Sequence, residues 1–341
     1  MIGTLLKQLI RALHQYIAFH IKRVFGRGKP QETLAGTSPA ETPAPSPSET
    51  QQSQPNYSPL PRTPVAGVSP IYEPMASFDW QILSRPHGLV YLGGPSPSVL
   101  ELLVEEPKFI LDVGCSNGDF AANVKQRFPQ AQVWGVEPNE PAARIAGPRI
   151  DRVLCQMFED IDWNREGVRR GDIDTVLLFD VLEHIYDPWN TLLTLRNLVS
   201  EKGQLVVSIP NVRNVLLIQD LISGYWRYRR SGLLDITHIR FFTQSDMYRM
   251  FYQTGFRVVA TAATHCARSA EILAKHRDGK FPQTIELESA SITVHSSEDL
   301  AGLCTVQHMF TLQPADYDQL SPGERQFIDA PHPPTMAFAP D

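Results

Sequence analysis

Two glycines in a short turn, followed by one acidic residue, are the strongest candidates for chemistry in this chain. Gly114 and Gly118 enclose Cys-Ser-Asn, and Glu137 follows 19 residues after Gly118. Glycines at such a bend let the backbone approach a ligand closely, and an acidic side chain at that distance can bind the two hydroxyls of a ribose. The pattern predicts a site for a nucleotide-like cofactor.

Three kinds of cofactor site compete for this turn. A dinucleotide fingerprint needs G-x-G-x-x-G, but Ser116 and Asp119 stand where two of its glycines belong. A P-loop needs Gly-Lys followed by Ser or Thr, which the turn lacks. The third kind is a cofactor without a pyrophosphate, which needs less bare backbone and therefore fits best.

The same turn also satisfies G-x-S-x-G, the nucleophile elbow of hydrolases. Ser116 would then be the nucleophile, with Asp180 and His238 following in the expected order. Two features argue against a hydrolase. A Pro-rich segment precedes the turn in place of earlier strands, and the elbow leaves Glu137 unexplained.

The turn must be positioned by a strand before it and a helix after it. Apolar runs typical of buried strands alternate along the chain with helical patterns, which predicts βαβ units and an α/β fold with a doubly wound, seven-stranded, mostly parallel sheet. The predicted strands are 109–113, 131–136, 150–154, 173–179, 203–209, 256–260 and 305–312, and the main helices are 119–128, 139–145, 188–199 and 243–254.

Composition limits the class of protein and its surroundings. The 341 residues are 42% hydrophobic with a formal net charge of -6, which describes a folded core and argues against a nucleic-acid partner. The four cysteines lie far apart without metal-ligand spacing, so we expect free thiols in a reducing compartment and no metal site.

The N-terminal 76 residues differ from the rest of the chain. Residues 2–24 have a broad apolar arc and a basic polar arc at helical spacing, which predicts an amphipathic helix within residues 1–29. Residues 30–76 are rich in Pro, Ser and Thr and predict a disordered linker. The helix either lies on an anionic membrane surface or packs on protein. Its basic arc favours a cytoplasmic protein in contact with the inner face of the membrane.

Several segments resemble the class I S-adenosylmethionine-dependent methyltransferases, and specifically bacterial small-molecule members of type 11 and type 12. They are Asp112-Val-Gly-Cys-Ser-Asn-Gly118, Trp134-Gly-Val-Glu-Pro138, Phe179-Asp-Val-Leu-Glu-His-Ile-Tyr-Asp-Pro188, Ile209-Pro-Asn211, Leu234-Asp-Ile-Thr-His-Ile-Arg-Phe-Phe-Thr243 and Thr254-Gly-Phe256. The resemblance places a methyltransferase domain at 77–313, with insertions at 211–235 and 263–304, before a mostly irregular tail at 314–341.

The resemblance implies S-adenosyl-L-methionine as cofactor. Glu137 would bind the ribose hydroxyls and Asp180 would lie near the methionine end. Ser116 departs from the usual middle glycine, and Met157 stands where an adenine-contacting Asp often follows the third strand. The full set of implied cofactor-binding residues is Asp112, Gly114, Cys115, Gly118, Glu137, Pro138, Met157, Phe158 and Asp180.

Methyl transfer to an alcohol or phenol benefits from a general base, and His184 and His238 are the catalytic candidates. Alternatively, His184 is a helix-entry residue bonded to backbone, and His238 belongs to a buried polar cluster that fixes its loop. Acceptor binding is predicted for aromatic and basic residues beyond the fifth strand, namely Tyr225, Trp226, Arg227 and Arg240.

The sequence thus predicts a methyltransferase that acts on a small-molecule, saccharide or lipid-linked acceptor, with methylation at oxygen favoured. A serine hydrolase and a non-catalytic adaptor that keeps the fold are the alternatives, because fold alone does not prove activity. The acceptor's identity and the oligomeric state stay open.

Overall fold

A seven-stranded sheet forms the centre of the fold. A computed structural model describes Val99, Leu103 and residues 107–329 of the chain; the predicted N-terminal helix and linker lie outside these residues. The strands, in chain order, are β1 (Phe109–Val113), β2 (Gln132–Val136), β3 (Arg152–Leu154), β4 (Ile173–Phe179), β5 (Val199–Pro210), β6 (Phe256–Thr264), β7 (Gln283–Glu286), β8 (Ser291–Val294) and β9 (Gln307–Pro314).

The strand order of the large sheet is β3-β2-β1-β4-β5-β9-β6, and β7 pairs with β8 in a separate hairpin. β9 runs antiparallel to both of its neighbours, while the other six strands are parallel. The helices are α1 (Asp119–Arg127), α2 (Glu140–Ala146), α3 (Pro188–Leu198), α4 (Val215–Ile222), α5 (Gln244–Gln253), α6 (Ala267–His276), α7 (Ser297–Cys304) and α8 (Pro322–Asp329). None of these described helices has the length and apolar character that crossing a membrane requires.

The predicted doubly wound, mostly parallel sheet is confirmed. Both of its faces are covered, because successive residues of a strand point to opposite sides and enter different hydrophobic clusters. Leu111 and Val113 belong to the larger cluster with α3 and α5, while Ile110 belongs to the smaller cluster with α1. Burying an aliphatic side chain of this size contributes about 1.5–3 kcal/mol, so strand β1 is fixed from both sides.

The structure differs from the sequence prediction mainly around the two insertions. β5 begins at Val199, four residues earlier than predicted, because Val199 pairs with Ile173 before a register shift. The second insertion contains the hairpin β7–β8 and α7 besides α6, and these elements pack around a hydrophobic cluster of their own with α4. The described part of the predicted irregular tail contains α8.

Asn211 attaches the second insertion to the edge of the sheet where the parallel strands end. Its side-chain nitrogen donates to the carbonyls of Gly302 and Thr305, each at 2.9 Å, and its oxygen accepts from the backbone of Arg213. The side chain is buried, so these bonds replace the water that it would otherwise bind. The insertion is therefore held at the same edge as the glycine turn.

Gly118 ends that turn in a left-handed backbone conformation, which costs free energy in residues that have a side chain. Its φ is 76°, and a Cβ built there would lie 2.9 Å from the Cβ of Ala146 and 3.0 Å from its Cα. The left-handed conformation and the short distance to backbone both exclude a larger residue. The first turn of α1 consequently packs directly on the end of α2.

We expect Gly118→Ala to lower the free energy of unfolding by about 1–3 kcal/mol, since it combines backbone strain with a steric clash. Urea unfolding of purified protein measures the change. Gly147→Ala is the matched control, because Gly147 has a φ of -46° and open space around a built Cβ. That control should be neutral or stabilising by up to about 1 kcal/mol. Equal losses in both variants would contradict the role given to Gly118.

Candidate functional site

The site lies at the carboxyl ends of the parallel strands, where β1 separates β2 from β4. The chain leaves β1 toward β2 on one side and returns as β4 on the other side. Such a reversal of strand order opens a crevice above the two central strands, and ligands of open α/β sheets bind there. The predicted glycine turn and Asp180 follow β1 and β4 at this crevice.

Glu137 ties the turn after β1 to the end of β2. Its Oε2 accepts from the backbone N–H of Ser116 at 2.8 Å, and its Oε1 accepts from the N–H of Asn139 at 2.7 Å. Gly114 donates its N–H to the carbonyl of Val136 at 2.8 Å. Because a carboxylate that accepts two backbone bonds is held in place, Glu137 is already oriented at the predicted ribose position.

Asp112 and Cys115 are buried beneath the turn. Burial, followed by the charge of Glu137, raises the pKa of Asp112 to about 8. Burial also raises the pKa of the Cys115 thiol, and its Sγ lies where a Cβ on Gly135 would meet it at 2.4 Å. Cys115 is therefore a packed, protonated thiol with little nucleophilic character.

Asp180 lies at the end of β4 in a left-handed conformation, with a φ of 56°. Its Oδ1 accepts from the hydroxyl of Ser208 on β5 at 2.7 Å and from the side-chain amide of Gln307 on β9. A non-glycine residue in this conformation costs free energy that the surrounding bonds must offset. Three neighbouring strands thus position one carboxylate at the crevice.

The segment after β3 is divided between the core and the crevice side. Phe158 is buried in the larger hydrophobic cluster, with its ring centroid 5.4 Å from that of Trp163. Met157 and Pro138 are half-buried. The contact predicted between the adenine and this segment stays a prediction, and Met157 is its more exposed member.

The two predicted catalytic histidines come together although 53 residues separate them. Their ring centroids are 4.8 Å apart, in an edge-to-face arrangement. Nδ1 of His184 lies 3.2 Å from the carbonyl oxygen of Thr237, and Nδ1 of His238 lies 3.2 Å from that of Leu233. Burial lowers the pKa of both rings, and burial together with the neighbouring His184 lowers that of His238 to about 4.

Glu183 completes this cluster, and the sequence analysis missed it. Its side chain is 1% exposed, and neither carboxylate oxygen has a hydrogen-bond partner among the residues that the structure describes. Burial, followed by the charge of Asp180, raises its pKa well above the usual value. The only sequence signal was its place between Asp180 and His184, at what reads as an ordinary helix entry.

The predicted acceptor-binding residues fall into two groups. Arg240 donates Nε to the carbonyl of Tyr186 at 2.9 Å, and its guanidinium lies 4.9 Å from the centre of the Tyr186 ring. The other three, Tyr225, Trp226 and Arg227, are exposed beyond α4. The Trp226 ring packs on Phe241, with ring centroids 5.4 Å apart, so the exposed group lies against the segment that carries Arg240.

Asp112 should make the stability of the protein depend on pH. Folded, its carboxyl keeps a proton up to about pH 8, whereas in the unfolded chain it loses the proton near its ordinary value of 3.8. Between these values the unfolded state binds fewer protons, so the free energy of unfolding falls as pH rises, by at most about 1.4 kcal/mol per pH unit.

Asp112→Asn should remove this fall in the free energy of unfolding with rising pH. Relative to the unmodified protein, the variant should become more stable on going from pH 5 to pH 8, as measured by urea unfolding at both values. Asp160→Asn, at an exposed carboxylate, is the control. A stability difference for Asp112→Asn that stays constant with pH would contradict the assignment of a proton to this group.

Comparison with known proteins agrees with this geometry. The family model described as Methyltransferase domain matches residues 95–261. Trans-aconitate 2-methyltransferase of Methylobacterium radiotolerans is 27% identical over 108 residues, which cover 32% of this chain and 40% of that enzyme. Ubiquinone biosynthesis O-methyltransferase of Aeromonas salmonicida is 23% identical over 47% of this chain and 67% of that enzyme. The chain thus spans less than half of the first relative's length.

A solved S-adenosylmethionine-dependent methyltransferase from Archaeoglobus fulgidus overlaps 69% of this chain and all of its own, at 14% identity and a TM-score of 0.44. That level of similarity adds no weight to the assignment. The assignment follows from the matched domain, the curated relatives and the sheet order with its glycine turn. Residues 95–261 therefore form a methyltransferase domain of the class I S-adenosylmethionine-dependent type.

Proposed function

We propose that this protein transfers a methyl group from S-adenosylmethionine to an oxygen of a small-molecule, saccharide or lipid-linked acceptor. The observation that carries the proposal is the position of Glu137, which is fixed by two backbone N–H groups beside the glycine turn. A carboxylate oriented in this way at the end of the second strand suits the paired hydroxyls of a ribose.

Each of these residues at the crevice would contact a different part of the cofactor. Gly114 and Gly118 let the backbone come close, Glu137 binds the ribose and Asp180 faces the methionine end. When bound, S-adenosylmethionine supplies a methyl group on a positively charged sulfur. The transfer is an in-line displacement, so the protein contributes chiefly by aligning the acceptor and excluding water.

The acceptor would enter from the side of the exposed aromatic and basic residues. Tyr225 and Trp226 offer apolar rings, and Arg227 offers a guanidinium that suits a carboxylate or phosphate. The relatives support a small-molecule acceptor, because one is named for trans-aconitate and the other for ubiquinone biosynthesis and O-methylation. His184 and His238, whose rings contact each other, would accept the proton of an acceptor hydroxyl.

Glu137→Gln tests the cofactor site. The carboxylate accepts bonds with both oxygens, whereas the amide has one accepting oxygen and would turn its NH₂ toward a backbone N–H. We expect the affinity for S-adenosylhomocysteine to fall by about 10- to 100-fold, the usual worth of a hydrogen bond to a charged group. Isothermal titration calorimetry of the full chain measures the change.

Glu140→Gln is the matched control, since Glu140 is exposed and pairs with Arg144 one turn along α2. Its affinity for S-adenosylhomocysteine should equal that of the unmodified protein. Unchanged affinity in Glu137→Gln, or no binding by the unmodified protein, would refute the cofactor site as described.

We further propose that residues 2–24 bring the protein to an anionic membrane surface, as their basic amphipathic pattern suggests. The exposed Leu221, Ile222 and Trp226 provide additional apolar surface near the acceptor entrance. Lys7→Glu with Arg11→Glu should reduce flotation of the full chain with phosphatidylserine liposomes by several-fold. The same charge reversal at the exposed Lys202 and Lys280 is the control. Equal flotation of both double variants would exclude the proposed membrane contact.

A further inference from the structure

We propose that Glu183, His184 and His238 bind a first-row divalent metal cation, which positions and activates the acceptor's hydroxyl for methyl transfer. The proposal rests on the proposed function for the role of the cation, but its binding can be tested separately. It goes beyond the general-base role predicted for the two histidines, and it differs from the sequence expectation that the chain has no metal site.

The three side chains already face one another. One nitrogen from each histidine and one oxygen of Glu183 lie within 4.8 Å of one another. A cation with bonds of about 2.1 Å holds neighbouring ligand atoms roughly 3–3.4 Å apart, so the most widely spaced pair of ligand atoms needs to close by about 1.4–1.8 Å. This movement falls to Glu183, whose carboxylate has no hydrogen bond within the described part of the chain and can turn about its side-chain bonds.

The backbone bonds of the histidines set the nitrogen that would bind a cation. Nδ1 of each ring lies at hydrogen-bond distance from a backbone carbonyl, which accepts only from a protonated nitrogen. In a neutral ring the proton is then on Nδ1, and Nε2 carries the lone pair. Histidine ligands in metal sites are commonly oriented by a bond of this kind from the other nitrogen to a carbonyl.

A further bond network supports the ring of His184. The hydroxyl of Thr237 lies 3.1 Å from Nδ1 of His184 and donates to Oδ1 of Asp235 at 2.7 Å. Asp235 also accepts the backbone N–H of Thr237 at 2.9 Å. Thr237 therefore accepts from the histidine while it donates to the carboxylate, which fixes the tautomer and orientation of His184.

Glu183 is the observation that points to a ligand. A buried carboxyl group without hydrogen bonds carries a desolvation cost that folded proteins rarely tolerate. Nε2 of His238 is 3.9 Å from Oε1, which is too long for a direct bond. A cation between these atoms would satisfy both the carboxylate and the ring.

The donor set selects the class of cation. Two imidazoles and one carboxylate suit first-row transition metals such as Zn²⁺ and Mn²⁺, and three protein ligands leave coordination positions for an acceptor oxygen. Two more carboxylates, of Asp180 and Asp235, act on Glu183 through their charges. The local field therefore attracts a positive ion.

A cation here would lower the pKa of an acceptor hydroxyl that contacts it, so the hydroxyl gives its proton to solvent more readily. The oxygen's lone pair then forms a bond to the methyl carbon as the carbon–sulfur bond breaks. The electron pair of the broken bond stays on sulfur, which becomes the neutral thioether of S-adenosylhomocysteine. Neither oxidant nor reductant is needed.

The test is metal binding by the full chain after treatment with a chelator and dialysis. Titration with Mn²⁺ and with Zn²⁺ in a calorimeter should give one ion per chain, and the ion should raise the melting temperature. Glu183→Gln, which keeps the size of the side chain, should weaken this binding by at least about 100-fold. Glu201→Gln, at an exposed carboxylate near the start of β5, should bind like the unmodified protein.

His238→Asn gives a second variant in case Glu183→Gln does not fold, and it should lose the metal-dependent rise in melting temperature. Absence of binding of both ions by the unmodified protein would overturn the proposal, as would unchanged affinity in the folded Glu183→Gln variant. Titration of the same samples with S-adenosylhomocysteine separates the two proposals. Cofactor binding without metal binding refutes only the cation site, whereas metal binding without cofactor binding refutes the proposed function.

Discussion

The carboxylate of Glu137 is the contact on which the geometry of the crevice depends. It lies at the end of β2 and accepts backbone N–H groups from the turn after β1 and from its own strand end, so it sets the distance between the two. The glycine turn fixes the start of α1. Asn139 caps α2, because its side-chain oxygen accepts from the backbone N–H of Ala142. One charged group thus couples two strand ends and two helix starts.

The side of the crevice at the end of β4 differs from the Glu137 side in how its carboxyl groups are stabilised. There the buried carboxyl group of Glu183 lies where water cannot solvate it well, close in the chain to the exposed carboxylate of Asp180, and Asp112 is buried beneath the glycine turn. Asp180 is stabilised by bonds from two other strands, whereas Asp112 keeps its proton and the carboxylate of Glu183 has no hydrogen-bond partner in the described ranges of the chain. Such concentrated desolvation is costly for stability and is typical of sites that handle charged ligands.

The sequence was most informative where local chemistry alone decides the structure. The glycine turn, the strand before it and Glu137 could be located because backbone conformation and spacing leave few alternatives. The hairpin β7–β8 was missed because its strands are four residues long and acquire their apolar partners from α4, α6 and α7, which lie elsewhere in the chain. Glu183 was missed for a related reason. Its surroundings include His238, which is distant in the sequence and comes close to Glu183 through the loop after α4. Phe158 packs beside Trp163, a tertiary contact that its sequence neighbours do not reveal, and its predicted contact with the cofactor stays a prediction.

The antiparallel strand β9 has a consequence for the order in which the protein can become functional. In the described part of the chain, β6 pairs with no strand other than β9, and Gln307 at the start of β9 bonds to Asp180. A growing chain that has reached only residue 261 therefore holds every glycine and carboxylate of the crevice but lacks the strand that joins β6 to β5. During synthesis the cofactor crevice would remain incomplete until the second insertion and β9 have left the ribosome, so the long insertion delays the moment at which the site closes.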